Sequence, residues 1–467
     1  MTPSHRPGRE PAFSEGDSNL SPRRDAWARA HRGPAGAAMV AADAAHFLHQ
    51  SLSTPCLTGL RRAEGIWIED ADGRRYMDFH GNNVHHIGYG HPRLVAAVKA
   101  QMDELPFSPR RFTNEPAIEL ARELARIAPG DLDRVLLATG GSDAIEMAMK
   151  IARAATGRFK TVSFWDSFHG AGFGAVSVGG EELFRSGPVG PLLPGAGHVA
   201  PFACYRCPYG YRDRDGAPDL DACGMACANM VRYVLEKERD VAAVIAEPLR
   251  AVPYVPPPGF WQAVRRACDD HGALLIFDEI PNGLGKTGRM FASEHFGVVP
   301  DMVAVGKALG GGMLPIAALI ARPGLDVLAD RAVGHYTHEK NPVTARAALT
   351  TLRIIADEGL VANAARVGAR ALDRLRAMKD RHRAIGDVRG LGLVLGVELV
   401  ADRATKAPAA DLADRVLYNC LGRGLSFKTT FGNVLTLTPP LVTTAVDMDR
   451  ALDILENALA EETAAQT

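Results

Sequence analysis

Residues 274–321 read LLIFDEIPNGLGKTGRMFASEHFGVVPDMVAVGKALGGGMLPIAALIA. The apolar runs LLIF, MVAV and IAALIA are short, rich in branched side chains and bounded by glycine or proline, which predicts strands buried on both faces. The first run stops at Asp278 and Glu279, and the second at Lys307 before a glycine-rich segment. Ligands of an open α/β sheet sit beyond the carboxyl ends of its strands, so polar residues at those stops are the first candidates for chemistry.

The same kind of run recurs upstream as KTVSFW (160–165) and VAAVIAE (241–247). RVLLATGGSDAIEMAMKIARAATG (134–157) reads as a strand, a glycine turn with Ser142, and an amphipathic helix whose first N–H groups face that turn. In AIELARELARI (117–127), Ile118, Leu120, Ala121, Leu124 and Ile127 fall at helical spacing. Buried strands alternating with helices predict an α/β fold with a mostly parallel sheet covered on both sides. From about residue 344 the pattern changes to long helices, then the strand-like VRGLGLVLGVELV, then a last helix in VDMDRALDILENALAEE, which predicts a smaller α+β unit. Before the sheet, GIWIEDADGRRYMDF (65–79) reads as a hairpin with Gly73 in its turn. The expected division is an N-terminal arm over 1–39, the first part of a small domain over 40–90, a large domain over 91–343, and the rest of the small domain over 344–467. The arm is rich in Pro, Gly, Ser and Arg without an apolar period, so it is expected to be disordered alone or ordered by a partner surface. AADAAHFLHQSL (41–52) reads as a short helix.

The 467 residues carry 53 Lys+Arg against 54 Asp+Glu, a formal net charge of −1, which removes the basic field of a nucleic-acid binder. No apolar run approaches the roughly 20 residues that span a bilayer, and the polar N-terminus has no signal-peptide core. No nucleic-acid or membrane partner is expected, and the cytoplasm is the expected compartment. Seven cysteines, an odd number, argue for reduced thiols. Cys204, Cys207, Cys223 and Cys227 have a spacing compatible with structural zinc, but the reading is reduced thiols and no metal.

Burying a lysine at a strand end is costly unless its ammonium is paired or has formed an imine. Pyridoxal phosphate supplies that reason: it needs a lysine, a carboxylate on its ring nitrogen, and a helix N-terminus for its phosphate. Lys307, Asp278 and Gly140–Ser142 offer all three.

These residues lie in a stretch that resembles the signature of class III aminotransferases, pyridoxal-phosphate (PLP) enzymes of fold type I. Further matches are TGGSDAIEMAMKIAR, SFHG, VIAEP, YTHEKNP, VRGLGLVLGVEL and GNVLTLTPPL, so the resemblance covers about residues 55 to 460. It implies a large domain with a mostly parallel seven-stranded sheet and a small α+β domain. It further implies Lys307 as the Schiff-base lysine, Asp278 on the pyridine nitrogen, Gly141 and Ser142 on the phosphate, Phe168 stacked on the ring with His169 beside it, and Glu247 and Glu279 as nearby carboxylates. Thr337 would reach the phosphate from the neighbouring subunit of a homodimer with shared active sites.

Two departures bear on the reaction. Transamination through an amino acid calls for an arginine fork on its α-carboxylate, and the position where the family often has it is Thr436 here. Arg110, Arg111 and Arg250 are the alternatives, and with Asn83 they are the candidate substrate contacts. The stretch DFHGNNVHHIGYGHP (78–92), with the arginine pair in PFSPRRFTNEP, resembles ethanolamine-phosphate phospho-lyases and the ammonia-lyases acting on 2-amino-1-hydroxyethylphosphonate. The expected function is therefore a lyase acting on a small amino alcohol that bears a phosphonate or phosphate, in phosphonate catabolism. The alternative is an ω-aminotransferase that moves an amino group from a primary amine to a keto acid.

Overall fold

A computed structural model describes residues 21–51, 53–211 and 219–465. Seven strands form the large sheet in the order Arg134–Ala138, Ala317–Ala321, Met302–Val305, Leu274–Asp278, Val241–Ala246, Lys160–Phe164, Ala196–Val199. The last five pair in parallel, while Ala317–Ala321 is antiparallel to both of its neighbours. Arg134–Ala138 thus points the same way as the parallel set, and the carboxyl ends of six strands open on one edge. Side chains alternate between two cores: Ile276, Met302, Ala304, Ala317 and Leu319 pack on one face with the Gly141–Thr156 helix, and Leu275, Phe277, Val303, Val305 and Ile320 on the other. That is the two-sided burial the uninterrupted apolar runs require.

Outside this sheet, Leu60–Glu64, Trp67–Asp70 and Arg75–Asp78 form an antiparallel meander, and Met77–Asp78 pairs in parallel with Leu425–Ser426 near the other end of the chain. A second small sheet carries Ile385–Leu391, Val394–Asp402, Val434–Leu437 and Lys428–Thr430. The helices Pro342–Asp357 and Leu360–Arg381 lead into it.

The N-terminal arm differs from expectation where it is described. Pro22–His31 is a helix capped by Ser21, followed by a second helix over Pro34–His46. Trp27 is buried, and the first helix packs on the Ala410–Gly422 helix, with Arg23 paired to Asp411. The surface that orders these residues therefore belongs to the same chain. The earlier part of the arm, residues 1–20, lies outside the described residues. Among the described residues no helix is long and apolar enough to cross a membrane.

Candidate active site

The strand Leu274–Asp278 delivers Asp278, and Met302–Val305 delivers Lys307 one residue beyond Gly306. Asp278 is 2% exposed; its Oδ2 accepts from His169 Nδ1 at 2.8 Å and its Oδ1 from the Ile280 N–H at 3.1 Å. Among the described residues His169 has no partner for Nε2, so the imidazole is spent on orienting one carboxylate. A buried carboxylate held from behind by an imidazole N–H is suited to a ring N–H in front of it.

Lys307 opens a short 3-10 turn, Lys307–Gly310, with φ of +45°, a backbone region that non-glycine residues rarely adopt. Burial pushes its ammonium pKa down, opposed by Asp278, Glu247 and Glu181. This is the environment that keeps an amine reactive as a nucleophile and as a base.

The Gly141–Thr156 helix begins at the same edge. A Cβ on Gly141 would lie 2.7 Å from Ile280 Cδ1, so the helix start sits directly over the end of the Asp278 strand. Ser142 Oγ accepts from the Ala171 N–H at 3.1 Å, and Gly170, at φ of +131°, leaves no room for a Cβ against Ser142. These contacts join Ser167–Gly170 to the helix N-terminus, whose first N–H groups are suited to an anion. Phe168 is half-buried beside this join, with its ring 4.6 Å from that of Phe184.

Glu247 ends the Val241–Ala246 strand; its Oε2 accepts from the Ala251 N–H at 2.7 Å. Arg250 is 2% exposed, yet its nearest carboxylate oxygen, Glu247 Oε1, is 3.9 Å from Nε, and Nη1 reaches only Trp165 O at 3.4 Å. Among the described residues its Nε has no hydrogen-bond partner. A buried guanidinium this weakly matched is equipped to receive an anion.

Glu279 turns away from the edge and accepts from the Ala292 and Ser293 N–H groups; burial pushes its pKa up to about 7. Its contacts are those of a structural carboxylate. Asn83 lies in the turn Gly81–Asn83, which packs on the Lys307–Gly310 turn, and its buried Oδ1 has no partner. The structure thus brings Lys307, Asp278, His169, Phe168, Gly141, Ser142, Glu247, Arg250 and Asn83 to one edge.

Three expected residues are exposed on the chain, in or around a segment whose Tyr336 is hydrogen-bonded to Asp143 in the first turn of the Gly141–Thr156 helix. Thr337 is exposed, in the segment Tyr336–Lys340. Arg110 is exposed and bound to that same segment through Tyr336 O at 3.1 Å and, at 3.8 Å, Glu339, and to His335 just before it. Arg111 is exposed beside it. Thr436 is fully buried and bonds Thr430 Oγ1 at 2.9 Å, so no charged fork stands at its position.

Sequence reading missed Glu181 and Lys428, both charged neighbours of this cluster. The Gly179-Gly180 pair before Glu181 was an available signal, since adjacent glycines mark a close backbone approach. Cys204, Cys207, Cys223 and Cys227 are half-buried, with no disulfide among the described residues, and burial pushes the Cys227 thiol up to about 12. Among the described residues no three His, Cys, Asp or Glu side chains are grouped to hold a metal.

The residues present fit pyridoxal phosphate. A buried lysine, a carboxylate held for a ring nitrogen and a helix N-terminus for a phosphate share one edge. Known proteins agree. The Aminotransferase class-III family profile matches residues 49–459. The (R)-1-hydroxy-2-aminoethylphosphonate ammonia-lyase of Vibrio splendidus is 46% identical over 96% of this chain and 95% of its own length. The leucine/methionine racemase of Thermococcus litoralis is 38% identical over 86% of this chain and 90% of its own. Among solved structures, an (S)-enantioselective omega-transaminase from Thermomicrobium roseum superimposes with a TM-score of 0.83 at 31% identity, covering 91% of this chain and 98% of that one.

Proposed function

We infer the reaction from one premise: this chain belongs to the class III aminotransferase family and is a PLP-dependent enzyme. We propose that it is a lyase that converts 2-amino-1-hydroxyethylphosphonate to phosphonoacetaldehyde and ammonia, in phosphonate catabolism in the cytoplasm. The observation that carries this reading is the exchange of cations. Thr436 is neutral and bonded to Thr430, while Arg250 is a buried guanidinium whose Nε has no hydrogen-bond partner among the described residues and stands 3.9 Å from Glu247 Oε1. A site built this way favours an anion at Arg250 over an amino-acid carboxylate at Thr436. The 46% identity to the ammonia-lyase supports the same substrate class.

Pyridoxal phosphate, when bound, supplies the electron sink that acidifies the hydrogen on the amine-bearing carbon. Lys307 would hold the cofactor, and its Nζ would accept that proton. Asp278, oriented by His169, would keep a proton on the pyridine nitrogen. The N–H groups at Gly141 and Ser142 would take the cofactor phosphate, with Phe168 against the ring and Glu247 nearby. Arg250, assisted by Asn83, would bind the phosphonate and fix the leaving group. Thr337, with Arg110 and Arg111 beside it, would complete the neighbouring site of a homodimer.

The test is incubation with 2-amino-1-hydroxyethylphosphonate without any keto acid. Stoichiometric ammonia and aldehyde are expected. No product under these conditions, with activity restored on adding a primary amine and a keto acid, would replace the lyase by an ω-aminotransferase.

A further inference from the structure

Elimination from 2-amino-1-hydroxyethylphosphonate expels oxygen from the carbon that also bears phosphorus. Hydroxide leaves slowly unless a proton reaches its oxygen as the C–O bond breaks. The group that delivers this proton has to stand beside the phosphonate subsite and one carbon beyond the reach of Lys307. Asp278 is committed to His169 and Ile280, and Glu279 to Ala292 and Ser293.

Glu181 occupies the required ground. Gly180 is pressed on the backbone that follows the Lys160–Phe164 strand: a Cβ there would overlap Phe164 O and lie 2.6 Å from Asp166 N. The N–H groups of Gly180 and Glu181 both donate to Ser167 O, at 2.7 and 3.1 Å. Two residues earlier, Trp165 O accepts from Arg250 Nη1 at 3.4 Å. One short stretch, Trp165–Ser167, therefore holds the backbone of Glu181 and the guanidinium of Arg250, immediately before Phe168 and His169.

The electrostatics agree with this geometry. Glu181 is among the three carboxylates acting on Lys307, and it lies in the field of Arg250, Glu247, Lys428 and Asp166. Burial pushes its carboxyl pKa up, reinforced by Glu247 and Asp166 and opposed by Arg250 and Lys428. Lys428 stands opposite Thr436 in the small sheet. A phosphonate bound at Arg250 would offset those cations, leaving Glu181 more readily protonated.

We propose that Glu181 is the general acid that protonates the departing hydroxyl, a role that rests on the lyase reading above. The C–H bond on the amine-bearing carbon breaks, its proton passes to Lys307 Nζ, and its electron pair forms the new C=C bond. The C–O bond breaks with its pair on oxygen, which takes the Glu181 proton and leaves as water. Nothing is oxidised or reduced. One water is later consumed when the unsaturated amine hydrolyses to aldehyde and ammonia.

The test compares two leaving groups in the PLP-loaded enzyme. On 2-amino-1-hydroxyethylphosphonate, Glu181→Gln is expected to lower kcat by about 10²–10⁴-fold, the usual worth of a positioned acid. On 2-amino-1-chloroethylphosphonate, whose chloride needs no proton, the same variant should run close to the wild-type rate. It should also still exchange the hydrogen on the amine-bearing carbon with deuterated water. Glu181→Asp, which keeps the acid on a shorter arm, should recover part of the hydroxyl activity; if Glu181→Gln does not fold, Glu181→Asp should still lose more rate on the hydroxyl substrate than on the chloro one. Equal losses on both substrates, or none on the hydroxyl one, would overturn the role of Glu181 alone. Wild-type enzyme that releases no ammonia from the hydroxyl substrate would overturn the lyase reading and this role with it.

Discussion

Lys307 adopts a left-handed backbone at φ of +45°. A side-chain-bearing residue there costs on the order of 1–3 kcal/mol, which persists only where the surroundings fix the position. The strained turn and the burial act together: they present Nζ at the strand end and lower its affinity for a proton. Lys307→Ala is expected to lose the covalent, borohydride-reducible link to the cofactor and nearly all turnover. A reducible link surviving in that variant would identify another lysine as the carrier. Asp278 is held by His169, its one side-chain hydrogen-bond partner among the described residues, and in the proposed reaction it would face the pyridine nitrogen. Asp278→Asn should keep PLP bound while slowing turnover by at least about tenfold, each factor of ten being about 1.4 kcal/mol of barrier. Unchanged turnover with cofactor bound would remove the carboxylate from the reaction.

At the scale of elements, the site follows from strand direction. Six strand ends share one edge because Ala317–Ala321 alone runs against the others. Lys307, Asp278, Glu247 and the Ser167–Gly170 segment thus meet although up to 140 residues separate them (167 to 307). The strands and their terminal residues were legible because period and composition report burial locally. The Pro22–His31 helix was not, since PRRDAWARAH has a single large apolar residue and its partner helix lies at Ala410–Gly422. Trp27 is the anchor, 4% exposed with Tyr76 at 6.4 Å between ring centroids. Trp27→Ala should destabilise by about 3–5 kcal/mol, as for other buried aromatics, visible as a lower denaturation midpoint. An unchanged midpoint would make the helix an appendage.

At the scale of the molecule, the loop Phe107–Phe112 and the Tyr336–Lys340 segment form one exposed surface, joined by Arg110 and by the Phe107–His338 ring contact at 5.4 Å. Phe112 is 67% exposed there and Phe173 is 64% exposed. Exposed aromatics of this size favour burial in an interface. The protein is expected to sediment at twice the 49.9 kDa chain mass, and Phe112→Arg to shift it toward monomer with weaker PLP retention. A wild-type monomer that holds PLP and turns over substrate would show that each chain carries a complete site.

The sequence by itself determined the α/β class, the strand ends and the presence of a lysine, a carboxylate and a glycine turn suited to pyridoxal phosphate. These are properties of neighbouring residues, and side-chain chemistry with a period of two or 3.6 records them. Tertiary structure alone decided which charges meet. It left Arg250 buried with Glu247 at 3.9 Å, kept Arg110 on the Tyr336–Lys340 segment, set His169 behind Asp278, and brought Glu181 to the backbone beside Arg250. The physical reason is that a Coulomb interaction or a hydrogen bond depends on distance and burial, and a folded chain sets both between residues that its sequence holds far apart.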